Sequence, residues 1–237
     1  MITYDRPELL EEAIYCFLQQ TYPHKELIIL NDRAEQTIIF DHPLVKVHNL
    51  KTRFTNTGEK RRHCASLATG DYLQFWDDDD IHLPWHMDDC LHRLQFFTKK
   101  ISRAQNYWLN LADNKYFLKT CKWVHTLTIH KNIYWSVDGH ESATRNEDIR
   151  FIRKLLRNRL LSHYDLPIMR PSFIYNVVTG RVQITSCIKS EEDRCAERWA
   201  KVKEEAYLRN VQGDIILTPH WNHDYVARAN AAWDAIQ

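Results

Sequence analysis

The feature that most constrains this chain is a short apolar strand that runs straight into four carboxylates: Gly70-Asp71-Tyr72-Leu73-Gln74-Phe75-Trp76-Asp77-Asp78-Asp79-Asp80. Tyr72, Leu73, Phe75 and Trp76 are strand formers, and Gly70 breaks whatever precedes them. The strand is almost wholly apolar, which predicts burial on both faces, as in a parallel sheet. Open α/β sheets bind ligands beyond the carboxyl ends of their strands. Adjacent carboxylates at such an end repel one another, and a hard divalent cation relieves that repulsion. Magnesium and manganese take one or two carboxylates and complete their shells with water and substrate phosphates. The plain alternative is a solvated acidic turn capping the next helix. The apolar strand before the run and the basic segment upstream of it favour the metal.

The surrounding chain is organised to match. Residues 1–4 read as the end of a strand with no beginning. Pro7 suits a first helical position, Glu8, Glu11 and Glu12 suit the positive end of a helix, and Leu9, Leu10, Ala13, Ile14, Phe17 and Leu18 form one apolar stripe. A buried strand over 26–30 ends in Asn31-Asp32, and another strand is predicted over 45–50. A helix over 58–69 carries Lys60, Arg61, Arg62 and His63 near its start. A helix opened by Leu83-Pro84-Trp85 turns Met87, Cys90, Leu91, Leu94 and Phe97 inward. A hairpin is expected over 106–119 around Asp113-Asn114, and a strand over 124–130. A basic amphipathic helix follows over 146–161, with strands near Ile168 and over 172–178. Beyond residue 190 the pattern becomes a charged helix over 191–209 and a final helix ending near Trp233. Strand–helix alternation followed by hairpins predicts an α/β fold with an antiparallel portion. The expected division is a catalytic domain over 1–185 and a C-terminal helical extension, 186–237, packed on it.

Composition removes several function classes. A net charge of +1 excludes a nucleic-acid binder that works by bulk charge. No apolar run approaches the roughly 20 residues of a membrane span, and the amino terminus carries no signal-peptide pattern. The six cysteines, Cys16, Cys64, Cys90, Cys121, Cys187 and Cys195, lack paired zinc spacing and read as reduced core thiols. A cytoplasmic location is the resulting expectation.

Four pieces line up at strand ends or helix starts: Thr3-Tyr4-Asp5-Arg6-Pro7, Asn31-Asp32, the run 77–80 and Glu147-Asp148. In the stretches TYDRPELLEEAIYCFLQQTYPHKELIILND, GEKRRHCASLATGDYLQFWDDDD and VDGHESATRNEDIRFIRKLL the chain resembles the family-2 glycosyltransferases of the glycosyltransferase-A fold. The likeness runs over about residues 1–180. It implies a Rossmann-like mixed sheet flanked by helices, and an enzyme that moves a sugar from a nucleoside-diphosphate sugar, a UDP-sugar first of all, to an acceptor hydroxyl with inversion. Thr3, Tyr4, Arg6 and Asp32 would hold the nucleotide. Asp77 and Asp79 match the Asp-x-Asp motif for Mn2+ or Mg2+, with Asp77 and Asp78 also beside the donor, and Asp80 would lie next to the sugar or acceptor. Asp148 matches the general base, with Glu147 beside it. Asp78 stands between the motif carboxylates and leaves open which of them bind metal. The first strand is nearly absent before Thr3, which reads as a truncated start.

The residues carry a physical account beside the resemblance. A metal on Asp77 and Asp79 would stabilise charge growing on a departing diphosphate. Lys60, Arg61 and Arg62 at a helix start would add donors to the same phosphates, or form a solvated face. Asp148 lies four residues before Ile152 and seven before Leu155, which predicts that it points inward while Glu147 sits nearer the edge. His220 and His223 offer a late metal ligand or a surface role. Arg150, Arg153, Lys154, Arg157 and Arg159 give one helix a basic face suited to an anionic acceptor: a phosphorylated glycan, a teichoic-type polymer or a nucleic acid. Two other classes fit the same carboxylates, a metal-dependent nucleotidyltransferase or nuclease, and a nucleotide- or glycan-binding module without turnover.

Overall fold

The computed structural model describes residues 1–96, 100–104, 106–110, 116–120, 126–144, 146–161, 170–176 and 211–237. The sequence expectations at Asp113-Asn114, Ile168 and 191–209, the boundary at 185/186, and Cys121, Cys187 and Cys195 lie outside these residues. Cys16, Cys64 and Cys90 are buried free thiols, and burial pushes those of Cys16 and Cys90 up to about 12.

The amino-terminal half is a parallel layer. Strand β1 (Ile2–Thr3) lies beside β2 (Leu27–Asn31), and β2 lies beside β4 (Val45–Asn49), with Ile2 opposite Leu30 and Leu27 opposite Val45. Every residue of β2 is buried, as its continuous apolar run requires of a strand covered on both faces. Helix α1 (Pro7–Leu18) has Pro at its start and buries Leu9, Leu10, Ala13, Ile14, Cys16 and Phe17. Helix α2 (Thr57–Leu67) is capped by Asn56, whose side chain accepts the Glu59 N–H at 2.9 Å. An apolar cleft of about 380 Å³ lies beside Leu27 and Ile28, walled by Cys64, Ala65 and Leu73.

The remainder is largely antiparallel. Strand β5 (Tyr72–Gln74) pairs antiparallel with β10 (Leu127–His130), and β10 pairs antiparallel with β7 (Ile101–Arg103). A further sheet orders β6 (Ile81–His82), β11 (Phe173–Asn176), β8 (Asn106–Asn110) and β9 (Tyr116–Thr120). In it β11 is parallel to β8, and β8 and β9 form the expected hairpin. Helix α3 (His86–Phe96) buries Cys90 and Leu94. Helices α4 (Lys131–Ser136) and α5 (Glu147–Arg157) pack on the β5–β10 side.

Three expectations need correcting. The strand before the acidic run is not a doubly buried parallel strand: it is three residues long, pairs antiparallel, and leaves Tyr72 41% exposed. The apolar run continues past it because Phe75 and Trp76 enter different cores. Trp76 packs with Phe17, Ile14 and Leu83 in one, and Phe75 with Leu73, Tyr134 and Phe151 in the other. Side chains leaving an extended backbone to opposite sides hold it straight as it enters Asp77, and a parallel bridge from Ile2 to Asp77 fixes the run beside β1. The carboxy-terminal segment is not purely helical. Strand β12 (Gly213–Ile216) pairs in parallel with β3 (Gln36–Ile39) before α6 (Tyr225–Asp234). Helix α5 ends at Arg157, earlier than its sequence suggested. Tyr225 and Ala229 of α6 join the same core as Leu10 and Ile14. Buried Glu12 anchors that contact by accepting the Tyr225 hydroxyl at 2.7 Å. No helix among the described residues is long and apolar enough to cross a membrane.

Candidate active site

The site begins where β1 gives way to α1. Asp5 takes a left-handed φ of 56°, a conformation open to Asp because its short side chain bonds locally. Its carboxylate is held by Arg33 and by Gln36 Nε2 at 2.8 Å. This turn leaves Arg6 at the helix N-cap without a capping role and sends its guanidinium across to the acidic run. There Arg6 pairs with Asp78 and, at 3.0 Å, with Asp79. The Thr3 hydroxyl also bonds Asp78. Burial raises Asp78 above the usual carboxylate range, and Arg6 opposes that rise.

Asp32, closing β2, is buried, with one oxygen on Lys60 and the other accepting the Phe54 N–H at 3.0 Å. Lys60 also donates to the Thr3 carbonyl. Its burial lowers the ammonium's pKa, an effect that Asp32 works against. Tyr4 lies under the Arg53 guanidinium, 4.0 Å from ring centroid to Cζ, with Arg33 and Lys60 within 6 Å of the same ring. A half-buried aromatic ring crowded by cations is a suitable floor for a flat, anion-bearing ligand.

The second arginine bridges to α5. Arg61 pairs with Asp77 at 2.8 Å and with Glu147 at 3.3 Å, so one side chain ties the acidic run to the first turn of α5. Backbone contact holds α2 in place for this. A Cβ on Gly58 would stand 1.7 Å from the Glu141 carbonyl oxygen, and the Gly58 N–H donates to Ala143 at 3.0 Å. Only glycine permits that approach. His140 is fully buried beneath, stacked on Phe151 with ring centroids 4.5 Å apart, its Nδ1 3.1 Å from the Tyr134 hydroxyl. Burial first, then Arg61, holds His140 well below its ordinary pKa, so the ring is neutral.

The sequence-derived residues are therefore sorted into distinct places. Thr3, Arg6, Asp77, Asp78, Asp79, Arg61 and Glu147 meet in one charged network, with Asp32, Lys60 and Tyr4 adjoining it. Asp80 turns away: it is buried, and its Oδ1 lies 3.4 Å from the Asn176 N–H at the end of β11. Arg62 pairs with exposed Asp138 at 3.4 Å, so Arg61 and not Arg62 serves the acidic run. The inward and outward positions at the start of α5 are reversed from the sequence expectation. Glu147 is 6% exposed and shares a face with Phe151 and Leu155, whereas Asp148 is only half-buried. The expectation failed because Phe151, the helix's largest buried side chain, was left out of the stripe that set the face. Tyr175 had not been singled out. Burial, followed by the nearby charges of Asp80, Asp79 and Asp77, raises its phenol pKa.

The metal question turns on the donor set. Among the described residues no group of three or more His, Cys, Asp and Glu is arranged to hold an ion. His220 is exposed, bonded to the Thr218 carbonyl at 2.7 Å and 3.8 Å from Glu11. Asp77 and Asp79 still fit a magnesium-type ion, which asks for only one or two carboxylates besides substrate oxygens. Their side chains are 14% and 17% exposed, against 1% for Asp78. Arg6 and Arg61 neutralise the same carboxylates within the chain.

The model of the family described as "Glycosyl transferase family 2" matches residues 1–159, which include every residue of the charged network. An uncharacterised glycosyltransferase of Haemophilus influenzae is 22% identical over 248 residues, covering 92% of this chain and 82% of its own. The structure of S. aureus TarS 1–349 in complex with UDP-GlcNAc superposes with a TM-score of 0.56 at 15% identity, over 89% of this chain and 66% of that one. TarS 1–349 alone gives 0.54 at 13% identity, over 88% and 63%. This chain thus spans somewhat under two thirds of that fragment, and 38% of the longer TarS chain. The fold is of the glycosyltransferase-A type. The chain belongs to glycosyl transferase family 2.

Proposed function

We propose that this protein transfers a sugar from a UDP-sugar to an acceptor hydroxyl, with inversion at the transferred carbon and with Mg2+ or Mn2+ as cofactor. The observation that carries the reading is the network Asp79–Arg6–Asp78 and Asp77–Arg61–Glu147, which joins the start of the chain, the acidic run and α5. The UDP-GlcNAc held by a structural neighbour supports the choice of donor.

In this reading Tyr4 receives the base, with Arg53 over its ring, and Thr3 and Asp32 flank the nucleoside. Asp77 and Asp79 would hold the ion, which when bound would supply Lewis-acid stabilisation of the leaving diphosphate. Arg61, paired with Asp77, adds a cation at the same end of the site. Asp148 takes the proton of the acceptor hydroxyl as its oxygen attacks the sugar carbon and the bond to the diphosphate breaks. A positioned base contributes typically ~10²–10⁴-fold. Glu147 is the weaker candidate for that proton because its Oε1 is already committed to Arg61.

The test is a panel of nucleoside-diphosphate sugars assayed for metal-dependent binding and slow hydrolysis, which requires no acceptor. A UDP-sugar is expected to bind and hydrolyse with Mn2+ or Mg2+, and Asp79→Asn to lose the metal stimulation while keeping the fold. Undiminished metal-dependent turnover in Asp79→Asn would remove Asp79 from the metal site. Binding of no nucleotide sugar at all would overturn the reading.

A further inference from the structure

We infer that Arg53 determines which nucleotides are admitted: its guanidinium competes with the base for the face of Tyr4. The inference rests on the proposed use of a UDP-sugar and concerns how its base enters. The guanidinium carbon of Arg53 lies 4.0 Å from the centroid of the Tyr4 ring. Flat groups at that distance are in van der Waals contact, so no base fits between them. For a base to stack on this face, the guanidinium first has to leave it.

Two other cations approach the same ring, Arg33 at 5.8 Å and Lys60 at 5.9 Å. Both are buried and committed. Arg33 pairs with Asp5, and Lys60 with Asp32 and the Thr3 carbonyl. Arg53 is exposed and has no carboxylate partner among the described residues. It is the cation nearest the ring and the one whose departure breaks no ion pair.

The backbone confines that movement to the side chain. The Leu50 N–H donates to the Asn31 carbonyl at 2.8 Å, and the Phe54 N–H to Asp32 Oδ2 at 3.0 Å. Phe54 also packs on the cluster of Ile28, Leu30 and Cys64. Lys51, Thr52 and Arg53 are the exposed residues between these two anchors. The contact given up is an exposed cation–π pair, which is weak, and the released arginine regains rotamer freedom. The consequence is selectivity. A nucleoside has only its own stacking to set against the displaced guanidinium, whereas the proposed donor also brings a diphosphate.

The test measures uridine and UDP binding by ligand-observed nuclear magnetic resonance in the wild type, Arg53→Ala, Tyr4→Leu and the double variant, with circular dichroism as the check on folding. Arg53→Ala should bind uridine more tightly, by about two- to fivefold, the strength of one exposed cation–π contact. UDP should gain less, because the guanidinium also attracts its negative charge. On the Tyr4→Leu background, where there is no ring to cover, Arg53→Ala should leave uridine binding unchanged. Weaker uridine binding in Arg53→Ala would make the guanidinium a clamp on the base, and unchanged binding would make it a bystander or a phosphate ligand. Either overturns the inference, as does a gain that persists on the Tyr4→Leu background. Hydrolysis of UDP-sugar by the wild type separates this inference from the reading beneath it. If hydrolysis occurs and Arg53→Ala gains nothing for uridine, only this inference fails. If the gain is seen and no UDP-sugar is hydrolysed, only the transfer reading fails. Binding of neither uridine nor UDP to any of the four proteins would overturn both.

Discussion

The acidic run and the first turn of α5 both bring carboxylates to the charged network, yet they are built to opposite ends. Asp78 is 1% exposed, bound by Arg6 and by the Thr3 hydroxyl, and Asp32 behind it has both oxygens occupied. Asp148, in the first turn of α5, is half-buried. The difference teaches what each charge is for. A buried carboxylate matched to one guanidinium is costly to disturb and fixes the strand ends relative to each other. A carboxylate that must take up a proton from a bound molecule needs room for that molecule and no strong internal partner.

Removing a clamp should give the largest effect. Arg6→Ala leaves Asp78 in the interior without its counter-ion and Asp79 without its nearest cation, and should destabilise the fold by about 3–5 kcal/mol. Urea denaturation of the variant beside the wild type measures this. Acid should narrow the gap, because a protonated Asp78 no longer needs the arginine. A loss under about 1 kcal/mol would mean that water or another cation screens Asp78 and that the run is not clamped as described.

The open side should respond in rate and not in stability. Asp148→Asn keeps shape but cannot accept a proton, so donor affinity should stay near wild type while single-turnover transfer falls by ~10²-fold or more. Glu147→Gln breaks the link between Arg61 and α5 and should lower the denaturation midpoint with a smaller loss of transfer. The opposite result, transfer lost in Glu147→Gln and kept in Asp148→Asn, would give the proton to Glu147. It would also show that burial of a carboxylate here does not mark a structural role.

Much of this contrast was legible in the sequence, and what was missed has physical causes. The β2 run, the α1 stripe and the acidic segment each carry a local signal strong enough to place them. The antiparallel pairing of β5 does not, because an apolar run of that length suits either sheet type and the partner, β10, lies more than fifty residues downstream. The pairing of β12 with β3 is likewise set by contacts distant in sequence. Lys60, Arg61 and Arg62 look equivalent as a string. Helical geometry sends them to Asp32, to Asp77 and Glu147, and to Asp138 respectively, since consecutive residues diverge by about 100°. The role of Gly58 is invisible without its neighbour, because the demand for glycine comes from the Glu141 carbonyl and not from the local turn.

The smallest expected effect lies in the pH dependence of stability, where the two kinds of burial have opposite signs. Burial alone would raise Glu26, at the entrance to β2, but the Thr69 hydroxyl, Lys46 and the Thr69 and Gly70 N–H groups hold it down, from 4.5 to about 2. The unfolded chain then binds the proton more readily than the folded one, so Glu26 contributes stability that is complete above about 4.5 and is lost as pH falls toward 2. Asp78 runs the other way. Its folded pKa lies above the ordinary 3.8, so the folded chain holds the proton longer and stability declines as pH rises from 3.8 through the folded value. Denaturation midpoints measured from pH 6 down to pH 3 in the wild type, Glu26→Gln and Asp78→Asn should separate the two contributions. Glu26→Gln should lie below the wild type near pH 6 and converge on it in acid. Asp78→Asn, which leaves Arg6 with Asp79, should differ from the wild type by a gap that also changes with pH but in the opposite sense once its constant offset is removed. Parallel curves for Glu26→Gln and the wild type would show that the loop from Thr69 to Gly70 does not hold Glu26 in its ionised form.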